Sequence, residues 1–372
     1  GDTKLNAKLC TDIDLSQSEF KNLMIGSESA PFSGVFDGQG HTVAYNYETD
    51  KFYSGLFSYV NGATIRNLCV NGTAIAYAQH FGGLIGQSQG NVLVENVIVD
   101  AEITGMLNTS TGDGGMIGYN LGNVIFNNCA TLGTLGHPGS HWYAGFVGWA
   151  ENGSSTTLNN CYTTLSLTEG TDSGTSFTFV KAAASGVVTL NNCYYLNEIG
   201  TAQGIKMTAE QFASGEVCYK LNGDQSEISW TQTIGTDVVP QIGLGSSKQV
   251  YASGEVRCDG SENPDTPLSY SNTESYPTKP DHQYGSDGLC IVCGGTDESF
   301  VKQNEEGYYL VGTVMDLNWI NKKILDGETG VKVLLTADMD LSQSEFKNLM
   351  IGGESAPFSG VFDGQGHTVV YN

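Results

Sequence analysis

Basic residues are what this sequence has least of. Its 372 residues carry 16 Lys and Arg against 40 Asp and Glu, a formal net charge of -24. Phosphate backbones and anionic membrane surfaces are held by clustered cations, so nucleic acid and acidic lipid are excluded as partners. The shortage is local too. No Lys or Arg occurs between Arg66 and Lys181, while Glu95, Asp100, Glu102, Asp113, Glu151, Glu169 and Asp172 fall there. A ligand of that stretch is expected to be neutral or cationic. There is no run of 18 apolar residues, so no membrane-spanning helix is expected. Neither an initiating Met nor a signal segment is present, as expected of an internal piece of a larger precursor.

Catalytic signatures are equally scarce. GxSxG, HExxH and phosphate-loop motifs do not occur. A polysaccharide lyase acting on uronates needs a basic residue and cations for the substrate carboxylates, and Asn67 to Val180 supplies neither Lys nor Arg. A glycosidase needs two carboxylates about 5 to 10 Å apart. Asp100 with Glu102, or Asp113, offers such a pair, but acidic residues two apart on a strand are ordinarily solvated surface. The chain is therefore read as non-enzymatic, with no catalytic residue assigned and a glycoside hydrolase as the alternative.

What is present is repetition. Asp14–Asn46 and Asp340–Asn372 agree at 31 of 33 positions at an offset of 326, differing only at Ser27/Gly353 and Ala44/Val370. One period of a tandem array followed by the start of the next is the reading, since long near-identical repeats need contact only their neighbours. Inside the period a shorter repeat runs. GVF at Gly34, GLF at Gly55, GGLIG at Gly82, GGMIG at Gly114 and AGFVG at Ala144 mark one phase. NLCV at Asn67, NVIV at Asn96, NNCA at Asn127 and NNCY at Asn159 and Asn191 mark a second, the last three 32 residues apart. Short β-rich runs split by Gly and Asn at a period near 30 fit the coils of a parallel β-solenoid, whose equivalent side chains stack about 4.8 Å apart. About six coils are expected between Leu9 and Leu196, with Leu84, Ile85, Met116, Ile117, Phe146 and Val147 supplying the interior.

FSGVFDGQGHTV from Phe32 to Val43, with GGLIG and GGMIG, resembles the GLUG-type repeats of large surface proteins of gut Bacteroidota and Firmicutes. MTAEQFASGEVCYKLNG, Met207 to Gly223, followed by Ser229 to Asp237, looks like the segment that closes such solenoids. The resemblance implies a right-handed parallel β-helix and an extracellular or cell-surface address, and no particular activity. Physically, Phe212, Val217, Cys218 and Leu221 share one helical face between Thr208 and Leu221, and that helix is expected to cover the open end of the stack. Gly307 to Leu325 reads as a strand and then a helix with Leu317, Ile320 and Ile324 buried, a lid ahead of the next solenoid.

Nine Cys remain to be placed. Cys129, Cys161 and Cys193 are expected to form a buried column of small apolar filler. Cys258, Cys290 and Cys293 lie in a loop-rich stretch with too little apolar surface to fold unaided. Cys290-x-x-Cys293 with Cys258 and His282 makes a Cys3His set suited to zinc. A disulfide with an unpaired third thiol, or an unliganded loop, remains open at this point. His282 to Gly294 also resembles a short H...DG.C..CG module found between solenoids in the same surface proteins.

His141, Trp142 and Tyr143, beside His137 and Trp149, keep a glycan contact open, since exposed aromatics stack on sugar rings; Trp149 is expected to pack inside. The expected organisation is an all-β chain with short helical caps: a solenoid over 1–200, closing helix and strands over 201–250, a Cys/His module over 251–298, a strand-helix lid over 299–335, and the next solenoid from 336 to 372. The function expected is that of a structural or adhesive repeat forming a fibre or surface stalk, partnered by neighbouring repeats of the same protein. A carbohydrate-binding or carbohydrate-cleaving solenoid is the alternative.

Overall fold

Asn residues decide where this chain turns its corners. The computed structural model describes residues 3–16, 19–106, 112–136, 142–168, 175–223, 225–243, 248–342 and 346–371. Asn67, Asn96, Asn128, Asn160 and Asn192 occupy the left-handed region at φ of 53 or 54°. That conformation is costly for most L-residues and mildest for Asn after Gly. The strand register stacks these five corners on one another, through pairs such as Leu68↔Val97, Cys129↔Val97 and Tyr162↔Tyr194. Amide side chains bridge the rungs: Asn96 Nδ2 donates to Asn67 Oδ1 at 3.1 Å, and Asn192 Nδ2 to Asn160 Oδ1 at 2.8 Å.

The chain divides into two compact units, residues 1–252 with 270–275, and residues 253–269 with 276–372. The first is a parallel β-solenoid. Its principal sheet passes through eight strands in order, from Ala7–Lys8 to Ile205–Lys206, and a second sheet stacks Phe57–Asn61, Ile85–Gln89, Ile117–Asn120, Val147–Ala150 and Val180–Ala182. Six rungs of this path fall between Leu9 and Leu196, the number expected there, and the two-residue strands Ala7–Lys8 and Ile205–Lys206 add one rung at each end.

Inside, columns of like residues form the core. Leu68, Val97, Cys129, Cys161 and Cys193 stack with at most 2% exposure each. Leu68 and not Cys69 fills this column, since the left-handed corner is Asn67 in one rung and the second Asn of each later NNC marker. Both members of each Gly-flanked pair, Leu84 with Ile85, Met116 with Ile117 and Phe146 with Val147, are fully buried. Strict strand alternation would have exposed one of the two. The bend at the motif turns both inward, and its glycines admit the adjacent rung: a Cβ on Gly86 would lie 1.9 Å from the Tyr53 carbonyl oxygen of the rung before it.

The closing segment does not sit as the sequence suggested. Gly215, at φ 93°, splits it into helices α1 (Ala209–Ser214) and α2 (Glu216–Asn222). Phe212, Val217, Cys218 and Leu221 are buried, but in a cluster with Ile98, Ala130, Tyr162 and Tyr194. Those strand residues alternate with inward-facing Val97, Val99 and Cys161, so they point away from the solenoid interior. The segment therefore covers the flank of the principal sheet, where an apolar outward column would otherwise face water. Trp230 Nε1 donates to the Asn160 carbonyl at 3.1 Å and Tyr162 Oη to that of Pro240 at 2.6 Å, fixing it there.

The second unit opens another solenoid. Tyr308–Val311, Lys332–Leu335 and Val361–Asp363 form a parallel sheet, with Met339–Asp340 paired to Val369–Val370. Register is kept across 326 residues: Ala7↔Phe36 and Ile13↔Val43 in the first copy match Val333↔Phe362 and Met339↔Val369 in the second. Asp12 accepts from Thr42 N–H at 2.9 Å, and Asp338 from Thr368 N–H at 2.8 Å. Helix α3 (Val314–Leu325) starts at a Thr313/Asp316 capping box and buries Leu317, Trp319, Ile320 and Ile324.

Candidate metal centre

Four side chains expected to converge do so. Ligand atoms of Cys258, His282, Cys290 and Cys293 all lie within 4.8 Å of one another. Local backbone geometry builds the site. Cys290 and Cys293 sit on a turn closed by Gly294 N–H to the Cys290 carbonyl at 2.8 Å, with Gly294 at φ 72°. Cys290 N–H returns to the Gly295 carbonyl at 2.8 Å, and Gly295 N–H donates to Cys293 Sγ at 3.3 Å. Backbone donors of this kind hold a thiolate in place. Cys258 stands on a separate turn, where Gly260 N–H bonds the Arg257 carbonyl at 2.8 Å. The Arg257 guanidinium donates to the Val292 carbonyl and ties the two turns together. His282 stacks on Tyr284, ring centroids 5.6 Å apart.

Donor spacing matches a tetrahedral ion. Cys258 Sγ and Cys290 Sγ are 3.5 Å apart, and Cys293 Sγ is 3.4 Å from His282 Nδ1. Tetrahedral zinc with Zn–S near 2.3 Å puts neighbouring sulfurs about 3.8 Å apart. A disulfide needs about 2.05 Å. The backbone N–H groups of Cys293 and Val292 favour the Cys290 thiolate and bring its pKa down to about 5, against a smaller desolvation effect. Burial, and a proton shared with Cys290 and Cys293, push Cys258 up to about 11. Cys258 and Cys290 are 2% and 3% exposed. The four donors together could hold a metal ion.

The glycan candidates divide. His141 and His137 lie outside the described residues. Tyr143 is fully buried in the solenoid interior, so it contacts no external ligand. Trp149, expected inside, is half-buried on the outer face and stacks on Trp142 with centroids 4.9 Å apart. Its neighbour Ala150 is the residue that turns into the core, so Trp149 faces out, paired with half-buried Tyr119 in the adjacent rung. Lys181 Nζ lies 4.8 Å from the Trp142 ring centroid, and Glu151 accepts from Trp149 Nε1 at 3.2 Å and Tyr119 Oη at 2.8 Å. Nothing in the sequence marks Lys181, 32 residues beyond Trp149, as part of this face.

The carboxylate candidates do not assemble one site. Asp113 is 1% exposed and accepts from Phe81 N–H at 2.8 Å, a structural task. Asp100 and Glu102 stand exposed on the strand Asn91–Gly105. Partial burial, then the Glu102 charge, raises the Asp100 pKa.

No family model and no curated protein matches the chain. Among solved structures, one from Bacteroides ovatus, described as a "putative immunoglobulin A1 protease", aligns with 65% of this chain and 87% of its own. The identity is 17% and the TM-score 0.47. The expectation of a non-enzymatic chain is corrected on this finding, since the matched protein is described as an enzyme. That description belongs to the matched protein, and at this similarity it transfers no residue roles. Among the described residues, no helix is long and apolar enough to cross a membrane.

Proposed function

We propose that this chain is one period, and the opening of the next, of an extracellular tandem array of GLUG-like β-solenoids with a structural or adhesive role. The observation that carries the reading is the retained register at an offset of 326, where the same residue pairs start a solenoid twice. Between the two starts stands a module of low apolar content pinned by Cys258, His282, Cys290 and Cys293, and zinc is the ion we assign there. A stalk needs each period to hold its neighbour at a set angle, and a metal-stapled module stiffens a segment that could not fold on its own apolar surface. Electron microscopy of a chain of three periods is the test. Rods with a regular repeat are expected, with loss of regularity in the Cys290→Ser, Cys293→Ser double variant; unchanged spacing in that variant contradicts the reading.

One observation favours a second reading, glycan binding at the outer face. Trp142, Trp149 and Tyr119 crowd there around Glu151, polar and aromatic groups in the mixture that sugar rings engage. Glycan-array binding that disappears in Trp142→Ala would support it, and binding unaffected by that change would end it.

A further inference from the structure

The two solenoid starts share a sequence but not a cover. At the offset of 326, Leu5 corresponds to Val331 and Ile13 to Met339. Leu5 is 58% exposed and Ile13 37%, whereas Val331 and Met339 are 8% and 4% exposed. Helix α3 makes the difference. Its Leu317, Ile320 and Ile324 share one buried cluster with Val331, Leu335, Met339 and Leu341. The strand before it, Tyr308–Val311, pairs in parallel with Lys332–Leu335, which therefore has a neighbour on both edges. In the first copy, Ala7–Lys8 is the terminal strand of its sheet.

The uncovered edge opens on an apolar cavity, at which Leu15 and Val43 are already buried and Ile13 and Leu23 remain exposed. Leu9, Ile13, Leu15, Leu23, Ile25 and Val43 line an apolar cavity of about 100 Å³. Their counterparts are Leu335, Met339, Leu341, Leu349, Ile351 and Val369, so five of the six are the same residue in both copies. All six counterparts belong to, or pack against, the cluster that includes α3. An exposed apolar mouth beside an open strand edge recruits both a helix and a strand.

We infer that the mouth of the first solenoid is a docking site for a strand-helix lid of the Gly307–Leu325 kind. The lid adds a parallel strand to the Ala7–Lys8 edge and lays a Leu/Ile-striped helix over Leu9, Ile13, Leu15 and Leu23. This rests on burial and sequence identity and not on the extracellular reading, so either can fail without the other.

The test places a copy of residues 299–326 directly ahead of Gly1 in the full chain, at the spacing the lid has before Gly327. Hydrogen exchange is followed over residues 5–16, with 331–341 as internal reference. Slowing by about tenfold or more is expected over 5–16 and none over 331–341. The same extended chain with Leu317→Asp and Ile320→Asp in the appended copy alone should exchange like the unextended one. Equal protection by both extensions overturns the inference. So does an unextended chain whose 5–16 segment is already as protected as 331–341, or one that protects it by self-association at rising concentration, which would make a second copy the occupant.

Discussion

Lys323 Nζ lies 2.8 Å from both carboxylate oxygens of Glu298, joining helix α3 to the stretch that follows the Cys290–Cys293 turn. The lysine is 2% exposed, and Glu328 supplies a third contact at 2.8 Å. Its ammonium also sits 5.1 Å from the Trp319 ring centroid. Burial alone would lower its pKa, but the two carboxylates outweigh burial and hold it above the ordinary 10.5. Lys323→Ala is expected to destabilise the second unit by about 1–3 kcal/mol, and Glu298→Gln, whose carboxylate is largely solvated, by about 1 kcal/mol or less. A raised lysine pKa stabilises fully below the unfolded value and is lost as pH rises through the folded one. The gap between wild type and Lys323→Ala in denaturant melts should therefore be constant from neutral pH to about 10 and shrink above it.

Asp37 predicts the opposite pH dependence for the first unit. Burial would raise its pKa, but bonds from Gln39 and Asn67 and the Arg66 charge bring it down to about 2. Arg66 Nη2 is 3.1 Å from Oδ2 and Asn67 Nδ2 is 3.0 Å from Oδ1. A depressed carboxylate stabilises above its unfolded value and loses that contribution as pH falls through the folded one. Wild type should exceed Asp37→Asn by on the order of 2 kcal/mol at pH 6, with the advantage fading between about pH 4 and 2. A difference that does not change across that window would show that the carboxylate charge is not what matters.

Asn160 tests the corner column. Its φ of 54° suits Asn and Gly, and its Oδ1 accepts from Asn192 Nδ2 at 2.8 Å. Asn160→Ala loses the bond and strains the backbone, whereas Asn160→Gly loses only the bond. The Ala variant should be about 1–2 kcal/mol less stable than the Gly variant. Equal stabilities in urea melts would mean that the corner conformation carries no cost.

The solenoid and the Cys3His cluster were legible because both write themselves at fixed spacing. A left-handed corner favours Asn, so an Asn recurs at the corner of five successive rungs; a four-ligand set needs Cys-x-x-Cys within reach of two more donors. Other features depend on which way a strand faces, and composition does not encode that. Trp149 was expected inside and Tyr143 outside, and they sit the other way round because Tyr143 on Trp142–Ala144 faces the core while Trp149 on Val147–Ala150 faces out. The closing helices were expected on the open end, but the apolar column Ile98, Ala130, Tyr162 and Tyr194 that they cover emerges only once the rungs are in register. Helix α3 was legible through its Leu317, Ile320 and Ile324 stripe, while buried Trp319 and Lys323 lay outside the stripe considered.

X-ray absorption at the zinc edge on the purified chain reads the ligand set of the module between the two solenoid starts. One zinc per chain is predicted, with three sulfurs near 2.3 Å and one nitrogen near 2.0 Å, and with the sulfur count falling to one in Cys290→Ser, Cys293→Ser. A chain prepared without chelators that holds no metal, with Cys258 and Cys290 joined as a disulfide on mass mapping, would contradict it.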